Sequence, residues 1–314
     1  FTIEGTLARS WLLKGGNPNG LPNSDVLRPI WNGADVTRRS ADRWVIDFAL
    51  KTEAEAGLYE LPFEHVVRVV KPVRDVNKRE SRARLWWRHG EARPGMREAL
   101  RGHQRFIVTS ETSKHRYFVW CPVTIAPEHK LVVIPRADDQ TFGIFSSRVH
   151  VTWAIAAGSR LGVGNDPVYT TSRCVEPFPF PSGLTLDRPP SESPEAQAIA
   201  RAAKRLNDLR EAWLNPPEWV DRVPEVVPLG MATSPYPDRI LPKPGHEKDL
   251  AERTLTRLYN QRPAWLDAAH KALDLAVAAA YGWADYTADM PDEEILKRLL
   301  ALNLERAKAE SGKP

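Results

Sequence analysis

The spacing of apolar residues changes in the middle of the chain, and this change limits the folds that the chain can adopt. Residues 105–109, 116–121 and 131–134 are short stretches rich in β-branched and aromatic side chains, and polar turns separate them. Such stretches are typical of the strands of a small sheet. Soon after them, apolar residues recur at intervals of three and four from Phe142 to Ala156, which is the stripe of an amphipathic helix. The sequence therefore predicts a mixed α/β domain.

The composition changes after residue 181. Pro-rich stretches at 187–194 and 215–244 alternate there with segments of helical periodicity. A change of this kind indicates a second structural region. We predict an α+β protein with three parts: a mixed domain with a small sheet over residues 1–181, a Pro-rich linker with one helix over 182–245, and an all-α domain over 246–314.

Positive charge is concentrated in one part of the chain, residues 64–88, which we call the basic stretch. From Arg68 to Arg88 it contains eight Lys or Arg and two acids, and it includes Trp86 and Trp87. Solvated helices usually mix both signs of charge, so that residues four apart attract each other. A one-sided basic face with adjacent aromatics is typical of a surface that follows a phosphate backbone. The alternative is a solvated helix whose tryptophans are core anchors, and the stretch alone does not decide between the two.

The distribution of charge along the chain predicts that a polyanionic partner binds to residues 1–181. Residues 1–181 contain 26 Lys and Arg against 19 Asp and Glu, whereas residues 182–314 contain 18 against 21. A local surplus of positive charge attracts nucleic acid. The residues that we predict to contact phosphates are Lys71, Arg74, Arg79, Arg82, Arg84, Arg88, Lys114 and Arg116.

Two loops carry cations beside small or hydroxyl side chains, and we predict that they read bases. The first is the turn at residues 110–116, between two predicted strands, and its alternative reading is an ordinary polar hairpin. The second is the glycine-bearing loop at 158–166, where Arg160 could pair with both acceptors of a guanine edge. The alternative for Arg160 is a surface arginine near a helix end. The predicted base-reading residues are Thr112, Ser113, Arg160, Asn165 and Asp166.

Signals for catalysis are weaker. Asn215, Pro216 and Pro217 resemble the Asn-Pro-Pro-aromatic signature of adenine N6-methyltransferases, but Glu218 separates them from Trp219 and a predicted helix precedes them. We interpret this segment as structural. A nuclease reading of residues 128–130 lacks an aspartate between residues 75 and 128 to complete a magnesium site. The histidines and cysteines have no zinc-ligand spacing. The sequence predicts neither catalytic residues nor a metal in this chain.

Other features of the sequence indicate the cellular compartment of the protein and suggest that the chain is part of a longer protein. The two cysteines, Cys121 and Cys174, have no disulfide framework around them, so we expect a reducing, cytoplasmic setting. No apolar run approaches the length of a membrane span, and no membrane partner is expected. The chain begins in the middle of a strand-like segment at Phe1, so we expect it to be a fragment of a longer protein.

Short segments along the whole chain carry a family resemblance. In order, they are residues 32–39, 43–48, 70–75, 86–88, 112–120, 162–167, 169–170, 178–181, 258–263 and 292–296. Each is weak alone, but their common order is specific. With them the chain resembles the target-recognition and C-terminal regions of large bacterial DNA adenine N6-methyltransferases of the MmeI-like class, which belong to restriction–modification and related defence systems. The resemblance covers nearly the whole chain.

The resemblance implies a function that is divided between domains. In that family a preceding domain binds S-adenosylmethionine and carries the Asn-Pro-Pro-aromatic site, so this chain would have no cofactor of its own. Its partners would be double-stranded DNA and the N-terminal methyltransferase domain of the same protein. It would position the duplex so that this domain methylates a flipped adenine. Glu111 departs from the family, whose members often carry Arg there, and this affects any base contact carried over at the turn.

Two other functions stay open at this stage. The chain could be a protein-interaction module whose acidic helical half binds a partner, with the basic half merely solvated. It could also be a fragment of a restriction nuclease. A binding curve that depends on salt would distinguish the first from a DNA-binding module, and a cleavage assay with added metal would test the second.

Overall fold

Two hydrophobic cores organise the fold, in a computed structural model that describes residues 1–161 and 166–311. The smaller core is formed by buried side chains between residues 3 and 87, together with Tyr236. The larger core gathers side chains between residues 100 and 299, together with Val36.

The smaller core is built on a four-stranded sheet. From one edge of the sheet, its first three strands are β1 (Thr2–Glu4), β3 (Arg43–Ile46) and β2 (Leu27–Trp31), and they are antiparallel. The fourth strand, β6 (Ala126–Pro127), comes from later in the chain and pairs in parallel with β2. Helix α1 (Gly5–Leu12) packs against this sheet, and a short 3₁₀ helix covers Asn23–Asp25. Helix α2 (Gly33–Thr37) follows β2 and places Val36 in the larger core.

The basic stretch forms short helices on the surface of the smaller core. They follow α3 (Glu53–Gly57) and are α4 (Glu60–Val69), α5 (Lys71–Asp75) and α6 (Glu80–Arg84). Helix α6 ends at Arg84, and the backbone of Leu85 is no longer helical (φ −109°, ψ 47°). Trp86 and Trp87 are 6% and 7% exposed, and their rings meet edge to face with centroids 6.0 Å apart. The interpretation of these tryptophans as core anchors is therefore correct.

The predicted small sheet is confirmed. After α7 (Pro94–Ala99), the strands β4 (Arg105–Ser110), β5 (Val119–Pro122) and β7 (Leu131–Ile134) form an antiparallel sheet with β4 in the centre. Phe106, Ile107 and Val108 of the central strand are fully buried. This sheet is one wall of the larger core.

The amphipathic stripe that follows the sheet forms two helices instead of one, α8 (Asp139–Ser146) and α9 (Arg148–Ala157). Ser147 interrupts them, because its backbone is extended (φ −74°, ψ 155°) and its hydroxyl accepts a hydrogen bond from the His150 amide at 3.4 Å. A hairpin of β8 (Ser159–Leu161) and β9 (Asp166–Val168) comes next. Gly158 joins α9 to it, and a Cβ there would lie 2.6 Å from the Val168 carbonyl oxygen, so only glycine allows this approach.

The C-terminal part is mainly helical, and together with the small sheets it confirms the α+β class. Past a π-helical turn at Thr171–Val175, its helices are α10 (Pro194–Leu214), α11 (Glu247–Ala251), α12 (Leu255–Gln261), α13 (Ala264–Ala280) and α14 (Asp292–Ser311). Helix α10 packs against both α8 and α13. Gly143 of α8 permits this close packing, since a Cβ there would lie 2.6 Å from a methyl carbon of Ile199.

Part of the predicted linker returns to the smaller core. Residues 224–238, which we call the strap, connect the paired strands β10 (Val220–Val223) and β11 (Arg239–Pro242). The Tyr236 hydroxyl donates to the Leu27 carbonyl at 2.9 Å, and its ring lies 4.7 Å from the Trp44 ring. The buried Glu225 carboxylate accepts a hydrogen bond from the Arg9 guanidinium at 2.9 Å. The composition boundary at residue 181 therefore does not separate the two cores, because proline content does not decide which side chains pack together.

Two arginines join the cores in addition to the β2–β6 pairing. Arg28 donates to the Val123 carbonyl at 2.5 Å, and Arg39 donates to the Leu214 carbonyl at 3.0 Å. Both guanidiniums are partly or largely shielded from water, which lowers their pKa values. Within residues 1–161 and 166–311, no helix combines the length and the apolar character that crossing a membrane requires.

Candidate nucleic-acid interface

The turn at 110–116 lies beside the paired strands β8 and β9, which carry the described residues of the second predicted loop, although about 50 residues separate the two in sequence. Thr112 of the turn forms a β-bridge with Val168 of the β8–β9 hairpin. The Tyr169 amide donates to the Glu111 carbonyl at 2.8 Å. These contacts unite the turn and the hairpin into one surface, which we call the recognition surface (residues 110–116, 159–161 and 166–168).

Arg116 supports this surface from inside. Its side chain is 8% exposed, and its guanidinium donates to the Thr109 hydroxyl at 2.9 Å, to the Pro167 carbonyl at 3.2 Å and to the Ser110 carbonyl. The guanidinium carbon lies 4.8 Å from the centre of the Tyr169 ring. Burial lowers the pKa of Arg116 to about 10, so it stays charged near neutral pH. A phosphate would have to compete with these internal acceptors, and the predicted phosphate contact by Arg116 stays a prediction.

A buried histidine lies beneath the same surface. His150 of α9 is fully buried, and its Nε2 lies 2.8 Å from the Tyr169 hydroxyl. Burial lowers the pKa of His150 to about 3, so the ring is neutral near pH 7. Arg116, Tyr169 and His150 thus form a connected layer between the recognition surface and the larger core.

The outer face of the turn presents the other predicted contact residues. Thr112 and Ser113 are half-buried, and the Ser113 hydroxyl donates to the His115 carbonyl at 2.7 Å. Lys114 is exposed, and its Nζ donates to the Asn260 Oδ1 at 2.7 Å. Sequence analysis did not identify His115 or Asn260 as site residues, because neither has a local pattern that distinguishes it from an ordinary polar residue.

The hairpin carries two further predicted base-reading residues, Arg160 and Asp166. Arg160 is exposed in β8, opposite Pro167 in β9. Asp166 is half-buried, opposite Leu161. Asn165 lies outside the described residues. The assignment of these residues to base reading stays a prediction.

The cations of the basic stretch differ in how strongly contacts within the protein restrict them. Arg88 donates to the carbonyls of Lys51 and Leu50 at 2.8 and 2.5 Å, and Arg74 lies 5.6 Å from the Phe1 ring. Lys71 pairs with Asp75 at 2.8 Å, and both side chains are exposed enough for water to weaken the pair.

Three of the arginines that we predict to contact phosphates lie close together in the chain. Arg79 and Arg84 are exposed, and Arg82 is half-buried. All three belong to α6 or to the residue before it. The structure therefore brings these cations together, and their predicted contact with phosphate stays a prediction.

The Asn-Pro-Pro segment is a turn between α10 and β10. The Pro216 carbonyl accepts a hydrogen bond from the Trp219 amide at 2.9 Å, and Asn215 is buried with its Nδ2 bound to Glu211 at 2.9 Å. The Trp219 ring stacks on His246 at 5.5 Å, and the Arg253 guanidinium lies 4.6 Å from its centre. Since the aromatic ring already has these neighbours, the segment does not fit a site that stacks on a target adenine.

Within residues 1–161 and 166–311, no group of three or more His, Cys, Asp and Glu side chains is arranged to hold a metal ion. Cys121 and Cys174 are both buried free thiols. Burial raises the pKa of each, so both are protonated at neutral pH.

Comparison with known proteins gives one family and one fold. The model of the MmeI target recognition domain matches residues 19–182, which is more than half of the chain. A solved structure of the Type IIL restriction–modification enzyme MmeI in complex with DNA is similar at 16% sequence identity and a TM-score of 0.64. The match covers 98% of this chain and 34% of that one, so the chain spans about a third of that protein's length. No curated protein matches the chain.

Proposed function

This chain belongs to the MmeI target recognition domain family, and on that premise we propose that it recognises a specific sequence in double-stranded DNA. It does so on behalf of a restriction–modification enzyme that methylates adenine at N6. The recognition module binds and orients the duplex, and a separate domain of the same protein carries out the methylation.

The main observation behind this proposal is that the scaffold holds two segments, far apart in sequence, next to each other. The turn at 110–116 and the β8–β9 hairpin are joined by a β-bridge and by hydrogen bonds, and the family match spans both. Loops that a stable scaffold holds in place are the usual means of building a specific binding surface. Base edges are read by side chains held to within a fraction of an ångström, so the layer beneath the loops supports base reading.

The contacts divide by their chemistry. The cations of the basic stretch and Lys114 neutralise phosphates, which supplies affinity independent of sequence. Thr112 and Ser113 offer hydroxyls to base edges, and Arg160 offers a guanidinium fork that matches the two acceptors of guanine. Asp166 and Asn165 would favour an amino group and an adenine edge, respectively.

The chemistry of methyl transfer is assigned to a methyltransferase domain outside this chain. The Asn215-Pro216-Pro217 turn does not fit a target-adenine site, because Trp219 already stacks on His246 and contacts Arg253. S-adenosylmethionine, which supplies the methyl group, would bind to that other domain together with the flipped adenine. The enzyme would act on DNA in the cytoplasm, the compartment expected from the two free thiols.

Binding of the 314-residue chain to labelled duplexes, followed by fluorescence anisotropy between 50 and 200 mM salt, tests the proposal. We expect binding that weakens steeply with salt, and enrichment of one short motif when a randomised duplex library is selected on the chain. Binding without enrichment of any motif would contradict sequence recognition. The absence of any duplex binding at the lowest salt would contradict the proposal as a whole.

A further inference from the structure

Helix α12, in the C-terminal part, lies against the turn of the recognition surface. Asn260, near the end of this helix, accepts two hydrogen bonds at a single oxygen. The donors are Lys114 Nζ at 2.7 Å and His115 Nε2 at 2.8 Å. Asn260 and Lys114 are more than 140 residues apart in sequence, so only the fold brings them together.

The chemistry of lysine fixes the orientation of the Asn260 amide. A lysine ammonium has three donors and no acceptor, so the atom of Asn260 that faces it must be the oxygen. His115 Nε2 contacts the same oxygen, and it must therefore carry a proton. Both side chains of the turn then donate to Asn260, and Asn260 restricts both of them.

Helix α12 is itself firmly placed. Leu255 and Leu258 are buried in the larger core. The Thr256 hydroxyl donates to the Thr37 carbonyl at 3.1 Å and lies 3.2 Å from the Tyr117 hydroxyl, just after the turn. Asn260 therefore lies on a firmly packed helix, and its hydrogen bonds hold Lys114 and His115 on the outer face of the turn.

We propose that Asn260 is a positioning residue of the DNA-binding surface, which holds Lys114 and His115 in the orientation that meets the duplex. This inference rests on the proposed function. An exposed lysine loses rotamer freedom when it binds a phosphate, and a lysine already held by a neighbouring amide loses less. The C-terminal helical part thereby contributes to DNA binding through α12, in addition to packing.

A mutant cycle measures this role. Asn260→Ala should weaken duplex binding about three- to tenfold, because it releases both side chains of the turn. In a chain that already carries Lys114→Ala and His115→Ala, the same substitution should have no further effect. Gln197→Ala is the matched control, since Gln197 is an exposed amide on α10 that bonds only to the neighbouring Glu192 among the contacts described, and it should bind as the unmodified chain does.

The outcomes separate this inference from the proposed function. If the unmodified chain binds duplex but Asn260→Ala binds equally well, or loses the same factor in the double-substituted chain, Asn260 does not act through the turn. If the unmodified chain binds no duplex, the proposed function fails first. Thermal unfolding of each variant without DNA checks the fold. Asn260→Ser, which keeps an acceptor oxygen but shortens the side chain, repeats the cycle should Asn260→Ala unfold, with the same two results deciding it.

Discussion

The turn of the recognition surface and the basic stretch both carry cations, but the protein treats these cations differently. In the turn, Arg116 is buried among three oxygen acceptors and Lys114 is held by Asn260. On α6, Arg84 is exposed to water, and so is Arg79 just before this helix. Attraction to a phosphate backbone depends on charge and tolerates mobile side chains, whereas base reading needs fixed geometry. Under the proposed function, this difference favours base reading at the turn, with Lys114 as its phosphate contact, and sequence-independent affinity at the basic stretch.

Removing the buried cation should have the largest effect. Arg116→Met leaves the acceptors at Thr109, Ser110 and Pro167 without their donor, and it should lower the free energy of unfolding by roughly 2–4 kcal/mol. Arg84→Met, which removes an exposed cation, should change this free energy by less than about 0.5 kcal/mol. Urea denaturation of both variants measures the difference. Equal free energies of unfolding for the two variants would show that Arg116 stabilises the fold no more than the exposed Arg84 does.

Removing the three arginines of α6 and of the residue before it should have the next largest effect, on affinity alone. Arg79, Arg82 and Arg84 all replaced by Ala should lower the slope of log K against log salt by about three units, one for each phosphate that is no longer neutralised. Binding to any duplex should weaken at 0.1 M salt, and the difference from the unmodified chain should shrink as the salt concentration rises. Glu195→Ala, Glu293→Ala and Lys297→Ala together change three exposed charges on other helices and are the control. An unchanged slope in the arginine variant would place the DNA elsewhere.

Acid should weaken the support of the turn. The pKa of His150 is lowered to about 3 in the folded state from an ordinary value of 6.5, so its contribution to stability is complete above pH 6.5 and is lost as the pH falls toward 3. Between pH 7 and pH 5 this contribution should fall by about 2 kcal/mol.

Two other buried groups also titrate, so the measurement must isolate His150. His270, whose pKa is also about 3, acts in the same direction, whereas burial raises the pKa of Asp274 to about 6 and opposes both. We therefore compare the chain with its His150→Gln variant by urea unfolding at both pH values. The variant should lose about 2 kcal/mol less than the unmodified chain. Equal losses would show that His150 is not the titrating group.

The smallest effect on total binding is expected at the hairpin. In the full-length enzyme, Arg160→Ala should relax or change the recognised base at one position, with a loss of discrimination of roughly 1–3 kcal/mol. It should not cause the uniform weakening that the arginine triple variant shows. Sequencing of methylated adenines reveals the motif. If the motif is unchanged and methylation is only slower, Arg160 contacts the DNA phosphate backbone. The hairpin would then supply affinity, as the basic stretch does.

Local patterns in the sequence identified much of the fold. The three strand stretches became β4, β5 and β7, because β-branched and aromatic side chains favour a packed sheet wherever they lie in the chain. The family resemblance is confirmed over residues 19–182. The amphipathic stripe correctly predicted helical structure but wrongly predicted a single helix, because Ser147 adopts an extended backbone and caps a second helix.

The sequence by itself determined the class of fold, the family and the concentration of positive charge in residues 64–88, since each is expressed by residues close together in the chain. Only the tertiary structure decided that Arg116 faces inward, that Asn260 holds Lys114 and that Tyr236 returns to the smaller core. These contacts join residues that lie about 50 to 210 positions apart. No local period records such a contact, because it depends on which surfaces the folded cores bring together.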